Sequence, residues 1–131
     1  MEQAGINKIS KFDAWILASR PRTLLAAVVP VFVGTSIAIY NNKFFAAAAI
    51  TALLCSILIQ IGTNFTNDLF DFLQGKDTKN RLGPQRAAAS GLLSVKEMRI
   101  GTSVVFGLSF LLGLYLVYLG GWIILLIGVL S

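Results

Sequence analysis

Three long runs of this chain contain no charged residue. They cover residues 23–40, 44–67 and 100–131 and are 18, 24 and 32 residues long. A membrane-spanning helix needs about 20 consecutive apolar residues, so the first run is near the lower limit and the second is long enough. The third run is too long for one ordinary span, and Gly120-Gly121 divides it. The predicted spans are therefore 23–40, 44–67 and about 97–119, with a fourth that begins near Trp122.

The composition supports an all-α, polytopic transmembrane helix bundle. Only 13% of the 131 residues are charged and 56% are hydrophobic, whereas a soluble domain has about 25% charged residues. The fourth span has roughly ten residues before the chain ends, about half of what a bilayer needs. We therefore expect three full spans plus a truncated fourth, forming an N-terminal part of a longer protein. A sequence with no His and one Cys excludes Ser-His-Asp chemistry and Cys/His zinc sites.

The basic residues predict the orientation in the membrane. Eleven Lys and Arg residues give a net charge of +5, and all except Lys43 lie before the first span or between the second and third. The positive-inside rule places the N-terminus and the 73–96 loop in the cytoplasm. We interpret the charge as a topology signal in a bilayer protein and expect no nucleic-acid partner. A cleavable signal peptide is a weaker alternative, because the apolar run starts late and further spans follow.

A short interfacial helix is predicted over residues 11–19. Ser10-x-x-Asp13 has the spacing of a capping box at its start, and Pro21 interrupts it at the other end. A second capping box, Ser94-x-x-Glu97, indicates where the third membrane helix begins. The apolar and aromatic face of the interfacial helix would consist of Phe12, Trp15 and Ile16.

A polar stripe occupies the end of the second span. Gln60, Asn64, Asn67 and Asp71 are separated by four, three and four residues, which aligns them on one helix face, and Asp68 lies beside them. A carboxylate within the membrane costs on the order of 3 kcal/mol, so a polar stripe should not face lipid. We expect these side chains to face a polar cavity near the cytoplasmic surface.

The residue types in this stripe favour a hard cation. Carboxylate and amide oxygens suit Mg²⁺, which is commonly held by one or two carboxylates together with substrate phosphates. The loop that follows supplies positive charge for phosphate groups at Lys76, Lys79, Arg81 and Arg86. Acidic and basic residues at the edge of a bilayer suit an amphiphilic diphosphate. A cation path remains an alternative, since intramembrane acidic residues often line one.

The same residues resemble a known family. Asn67-Asp68-x-x-Asp71 is similar to the first aspartate-rich motif of the UbiA-type membrane prenyltransferases, usually Asn-x-x-x-Asp-x-x-x-Asp. The third position of that pattern is Gly75 here, and the next carboxylate is Asp77. This departure resembles the menaquinone branch of the family. Two further segments resemble that branch as well: Arg81-Leu-Gly-Pro84-x-Arg86 and Arg20-Pro-Arg22-Thr-Leu. The resemblance covers about residues 14–122.

The resemblance implies a fold and a reaction. It implies about nine transmembrane helices around a central cavity, where two aspartate-rich motifs hold Mg²⁺ and a polyprenyl diphosphate. The polyprenyl group would be transferred to 1,4-dihydroxy-2-naphthoate, in a bacterial inner membrane. Residues 1–22 would form a cytoplasmic segment, and residues 23–131 the N-terminal part of the prenyltransferase domain. Because the second motif is absent from these 131 residues, we expect them to lack significant turnover by themselves.

The residue roles follow from the motif positions and the charge pattern. Asp68 and Asp71 are the predicted catalytic carboxylates. The alternatives are another acceptor (homogentisate or 4-hydroxybenzoate), a non-catalytic membrane subunit and a degenerate gene product. For Arg22, a role as a topology anchor is the alternative to diphosphate binding. The predicted metal-site residues are Asn64, Asn67, Asp68, Asp71 and Asp77, and the predicted diphosphate-binding residues are Arg22, Lys76, Lys79 and Arg86.

Overall fold

The structure, a computed structural model, describes residues 10–74 and 93–131. Within these ranges the chain is all α-helical and contains no strand, as predicted. A 3₁₀ turn, Pro21–Leu24, joins the first two helices. The helices are α1 (Lys11–Ser19), α2 (Leu25–Tyr40), α3 (Ala46–Leu73), α4 (Val95–Gly120) and α5 (Trp122–Leu130).

Three helical segments are long and apolar enough to cross a membrane: Pro21–Tyr40, Ala46–Leu73 and Val95–Gly120. They confirm the three full spans predicted from the uncharged runs. The second spanning helix, α3, continues beyond the uncharged run to Leu73, so it includes Asp71, as the predicted polar stripe requires. Its acidic residues continue the helix instead of ending it, since part of this segment is buried against other helices.

Both predicted N-caps are present. The backbone N–H of Asp13 donates to Ser10 Oγ over 3.1 Å at the start of α1. At the start of α4, Glu97 N donates to Ser94 Oγ over 3.1 Å, and Ser94 N donates to Glu97 Oε1 over 3.3 Å, which is a complete capping box. These bonds satisfy backbone N–H groups that have no partner within the helix.

The helices pack around α3. This helix contacts α1, α2 and α4, most extensively α4. The buried core is concentrated at the end of α3 that carries the acidic residues, because α1 folds back against the bundle there. Most of the remaining apolar surface is exposed, as expected for helices that face lipid. The core residues are Ala14, Ala18, Phe65, Leu69, Leu93 and Met98.

Contrary to the sequence prediction, the aromatic residues of α1 do not share one face. Trp15 does not share a surface with Phe12 and Ile16 but turns inward, where its ring lies 5.2 Å from the Phe65 ring, centroid to centroid. Its six-membered ring also lies against Gly101 of α4, where a side chain would leave no room for it. Phe12 and Ile16 stay exposed. The tertiary contacts therefore divide one predicted aromatic face into an inner and an outer one.

The helix α2 passes through Pro30 without ending. Proline supplies no backbone N–H and disturbs the hydrogen bonds of the preceding turn. Ser56 of α3 donates its hydroxyl to the carbonyl oxygen of Ala27, three residues before Pro30, over 2.8 Å. A side chain of the neighbouring helix thus supplies a donor in the turn that proline disturbs.

Candidate metal and diphosphate site

The predicted polar stripe lies along one edge of the buried face of α3. Asn64 is 3% exposed and Asp68 is 1% exposed. Gln60 and Asp71 are half-buried, whereas Asn67 is exposed. With about 100° between successive residues, Asn64 and Asp68 fall on the side of the stripe nearest the core, and Asn67 falls on the far side. The structure therefore separates the two residues of the Asn67-Asp68 pair.

Asp68 is the one charged residue that is fully buried among those the structure describes. Its helix neighbours Phe65 and Leu69 belong to the apolar core. Burying a carboxylate costs free energy, and proteins retain such a group where it binds something or serves a reaction. Asp71 lies three residues later on the adjacent helix surface and is half-buried. At this end of α3, Asp68 therefore faces the buried core, and Asp71 lies at the edge of the buried face.

Asn64 connects α3 to the segment that precedes α2. Its Nδ2 donates to the carbonyl oxygen of Ser19 and to Thr23 Oγ1, both over 2.8 Å. Its Oδ1 lies 3.5 Å from Nε2 of Gln60, which donates to it. The amide of Asn64 is therefore engaged with protein groups on both sides.

The segment that receives these bonds has a constrained backbone. Arg20 adopts a left-handed conformation with φ of 51°, which costs an L-residue about 1–2 kcal/mol. The Thr23 hydroxyl donates to the Arg20 carbonyl over 2.9 Å, and Pro21 begins the 3₁₀ turn. Arg22 lies within this turn and is exposed. The turn thus presents a guanidinium group on the segment tied to α3.

The donor set of the described residues fits a hard cation bound together with a ligand. Asp68 and Asp71 provide carboxylate oxygens, and Asn67 provides an exposed amide on the same turn. Within residues 10–74 and 93–131, no cluster of three or more His, Cys, Asp and Glu residues is present. Mg²⁺ is commonly held by one or two carboxylates, with phosphates and water completing its shell, and the two carboxylates of α3 suit that arrangement.

Four of the predicted site residues lie outside the described part of the chain. They remain predictions from the sequence, and the structure describes the other five, which are Arg22, Asn64, Asn67, Asp68 and Asp71. Two cavities of about 260 and 590 Å³ lie on other parts of the helices and are not lined by the acidic segment. The four residues outside the described ranges are Lys76, Asp77, Lys79 and Arg86.

Thr23 and Ser19 were not candidates from the sequence. Thr23 is the first residue of the uncharged run 23–40, and Ser19 contributes a backbone carbonyl, which every residue possesses. Their partner Asn64 is 41 and 45 residues away. The nearest signal in the sequence is Pro21, which predicts a break in the helix but not what holds the break in place.

Comparison with known proteins assigns the family. Residues 27–131 match the model of the UbiA prenyltransferase family. The chain belongs to this family. The match covers most of α2 and all of α3 and α4, including the acidic segment, so the predicted resemblance is confirmed. Prenyltransferases of the UbiA family generally depend on a metal ion, which agrees with the oxygen donors on α3. No solved structure was found to match the chain.

Several similar proteins carry the same name, 1,4-dihydroxy-2-naphthoate octaprenyltransferase. The chain is 35% identical over 109 residues to the one from Haemophilus influenzae, covering 82% of this chain and 35% of that protein. It is 36% identical over 110 residues to the one from Escherichia coli K12, covering 84% and 36%. For Mycobacterium tuberculosis the identity is 32% over 117 residues, covering 88% and 40%. The chain thus spans little more than a third of the length of these relatives.

Proposed function

We propose that this UbiA-family chain contributes the first carboxylate motif of an enzyme that transfers a polyprenyl group from polyprenyl diphosphate to 1,4-dihydroxy-2-naphthoate. The observation that carries the proposal is the buried Asp68, one helical turn from Asp71, at the α3 end near an arginine-bearing turn. The shared name of the similar proteins supports the acceptor. The product would enter menaquinone biosynthesis.

Asp68 and Asp71 are proposed to hold Mg²⁺, with Asn67 and Asp77 as further oxygen donors. When bound, the ion would offset negative charge on the leaving diphosphate as a Lewis acid. Arg22 would contribute a guanidinium group to the diphosphate, in a geometry that suits phosphate oxygens. The core packed around Phe65 and Leu69 would keep water away from one side of the carboxylates. The proposed basic partners in the loop are Lys76, Lys79 and Arg86.

The proposed location is the inner membrane of a bacterium, with α1 and the acidic end of α3 at the cytoplasmic face. Both substrates fit this place. The diphosphate and the naphthoate are charged and come from water, whereas the polyprenyl chain requires the bilayer. Asp68 near the cytoplasmic end of α3 lies where these two environments meet.

The test is made in the organism that carries the gene for this chain. Removing its gene should abolish Mg²⁺-dependent polyprenyl transfer to 1,4-dihydroxy-2-naphthoate in isolated membranes and leave transfer to 4-hydroxybenzoate unchanged. The intact gene should restore the activity. Asp68→Asn or Asp71→Asn should lower it at least about 100-fold, because even residues behind metal ligands are worth ~10–100-fold.

Asp13→Asn is the matched control, since Asp13 is an exposed carboxylate on α1 and lies outside the proposed site. This variant should retain the activity at equal protein abundance. Unchanged naphthoate prenylation after removal of the gene would contradict the proposed acceptor. Full activity of both Asp68→Asn and Asp71→Asn would contradict the proposed metal site.

A further inference from the structure

The side chain of Asn64 joins two parts of the chain that are far apart in sequence. It is buried, and its two amide hydrogens are directed at the Ser19 carbonyl and at Thr23 Oγ1. Thr23 can accept this bond because its own hydrogen goes to the Arg20 carbonyl. A hydroxyl group has one hydrogen and two lone pairs, so both bonds form at once. The donors and acceptors are thus matched.

These hydrogen bonds determine which way the Asn64 amide group is oriented. A metal ligand would have to offer Oδ1 to the ion, but in this structure Oδ1 faces the Gln60 amide nitrogen at 3.5 Å. The two stronger bonds, at 2.8 Å, are made by the nitrogen. A carboxylate at this position could make neither of them, because it has no hydrogen to donate.

We propose that Asn64 is a positioning residue and not a metal ligand. Through Ser19 and Thr23 it would fix the Arg20–Thr23 turn against α3 and so set the distance between Arg22 and the carboxylates. Asp68 lies one helical turn, about 6 Å of helix rise, beyond Asn64. The inference rests on the proposed function, since it assigns Arg22 to the diphosphate of the same reaction.

The first measurement is a distance in the purified chain without Mg²⁺. Spin labels replace Ile16 on α1 and Phe70 on α3, which are both exposed, in a Cys55→Ser background. Pulsed electron paramagnetic resonance should give a narrow distance distribution. Asn64→Asp removes both hydrogen bonds that Asn64 Nδ2 donates and Thr23→Val removes the one to Thr23 Oγ1, so each variant should broaden or shift the distribution. Thr23→Ser keeps the hydroxyl and should restore the narrow distribution.

The second measurement is kinetic and uses host membranes. Thr23→Val should raise the KM for polyprenyl diphosphate several-fold and leave the KM for the naphthoate unchanged, and Thr23→Ser should restore it. A bond with only a structural role would lower the amount of active enzyme but would not raise the KM for the diphosphate alone. Asn64→Asp should also fail to tighten Mg²⁺ binding, although it adds a negatively charged oxygen.

Two results would overturn the proposal. One is an unchanged label distance in Asn64→Asp together with tighter Mg²⁺ binding, which would make position 64 a ligand site. The other is an unchanged KM for the diphosphate in Thr23→Val despite a disturbed distance. If the unsubstituted protein transfers no polyprenyl group, the proposed function fails instead, and the label distances report the bond between turn and helix independently.

Discussion

At the residue scale, a glycine decides how α1 attaches to the bundle. The Trp15 ring occupies space beside Gly101 of α4 that any side chain would fill. Gly107, six residues later on the same helix, has no neighbouring atom within 4 Å of where a Cβ would lie. Two glycines of one membrane helix therefore have different roles. One permits a close contact, and the other has no packing partner within the described structure.

We expect Gly101→Ala to destabilise the folded chain by about 1–3 kcal/mol relative to Gly107→Ala, because the added methyl group must displace the Trp15 ring. Alanine at position 107 meets no neighbour and should be neutral or slightly stabilising. The measurement is unfolding in mixed detergent micelles, followed by Trp15 fluorescence in a Trp122→Phe background. Equal stability of the two alanine variants would contradict the packing seen at Gly101.

At the element scale, α1 has two apolar faces with different environments. Ala14 and Ala18 are buried in the core, whereas Phe12 is 72% exposed and Ile16 is 43% exposed. The helix is also tied to α4 by an ion pair, in which Lys11 Nζ lies 2.8 Å from Glu97 Oε1. Because this pair is exposed, it contributes little stability and is screened by salt. The outer face is the one available to a bilayer surface.

We predict that this outer face lies in the interfacial region of the membrane. In a Trp122→Phe background, Phe12→Trp should be strongly quenched by brominated phospholipids, because an exposed aromatic residue on an interfacial helix contacts lipid. Trp15 is the internal control, since it packs against Phe65 and should be quenched weakly. If Phe12→Trp adds no quenching beyond that of Trp15, α1 does not rest on the bilayer.

At the scale of the whole molecule, the charge distribution and the packing point to the same face. The core, the α1 helix and the acidic end of α3 lie at one end of the bundle. Among the basic residues that the structure describes, Lys43 lies near the other end, and the rest lie near this one: Lys11, Arg20, Arg22, Lys96 and Arg99. The positive-inside rule therefore predicts that the candidate site faces the cytoplasm.

This orientation can be tested with an impermeant maleimide in a Cys55→Ser background. Asn41→Cys, in the turn between α2 and α3, should react in intact bacterial cells, because the predicted topology places that turn on the outer side. Gln74→Cys, at the other end of α3, should react only in inverted vesicles. Both positions are exposed, so accessibility in the protein is matched. Labelling in the opposite order would contradict the predicted topology.

Much of the architecture was accessible from the sequence because the signals are local. Uncharged runs predict membrane helices through their length, and the two capping boxes and Gly121 predicted helix ends within a few residues. These features depend on neighbouring residues and on the bilayer, which imposes the same requirement on every span. The acidic motif was also recognisable, since Asn67, Asp68 and Asp71 occupy fixed positions along one helix.

The side-chain partners were decided by tertiary structure alone. Nothing in the sequence distinguishes the inward-facing Trp15 from the exposed Phe12, or pairs Asn64 with a threonine 41 residues earlier. Periodicity defines the angle of a residue around its own helix but not which neighbour occupies that angle. The sequence by itself therefore determined the membrane helices, their ends and the acidic motif. The packing of α1 against α3 and α4 decided that Asp68 is buried, Asn67 is exposed and Asn64 binds the turn, because those outcomes depend on contacts between distant segments.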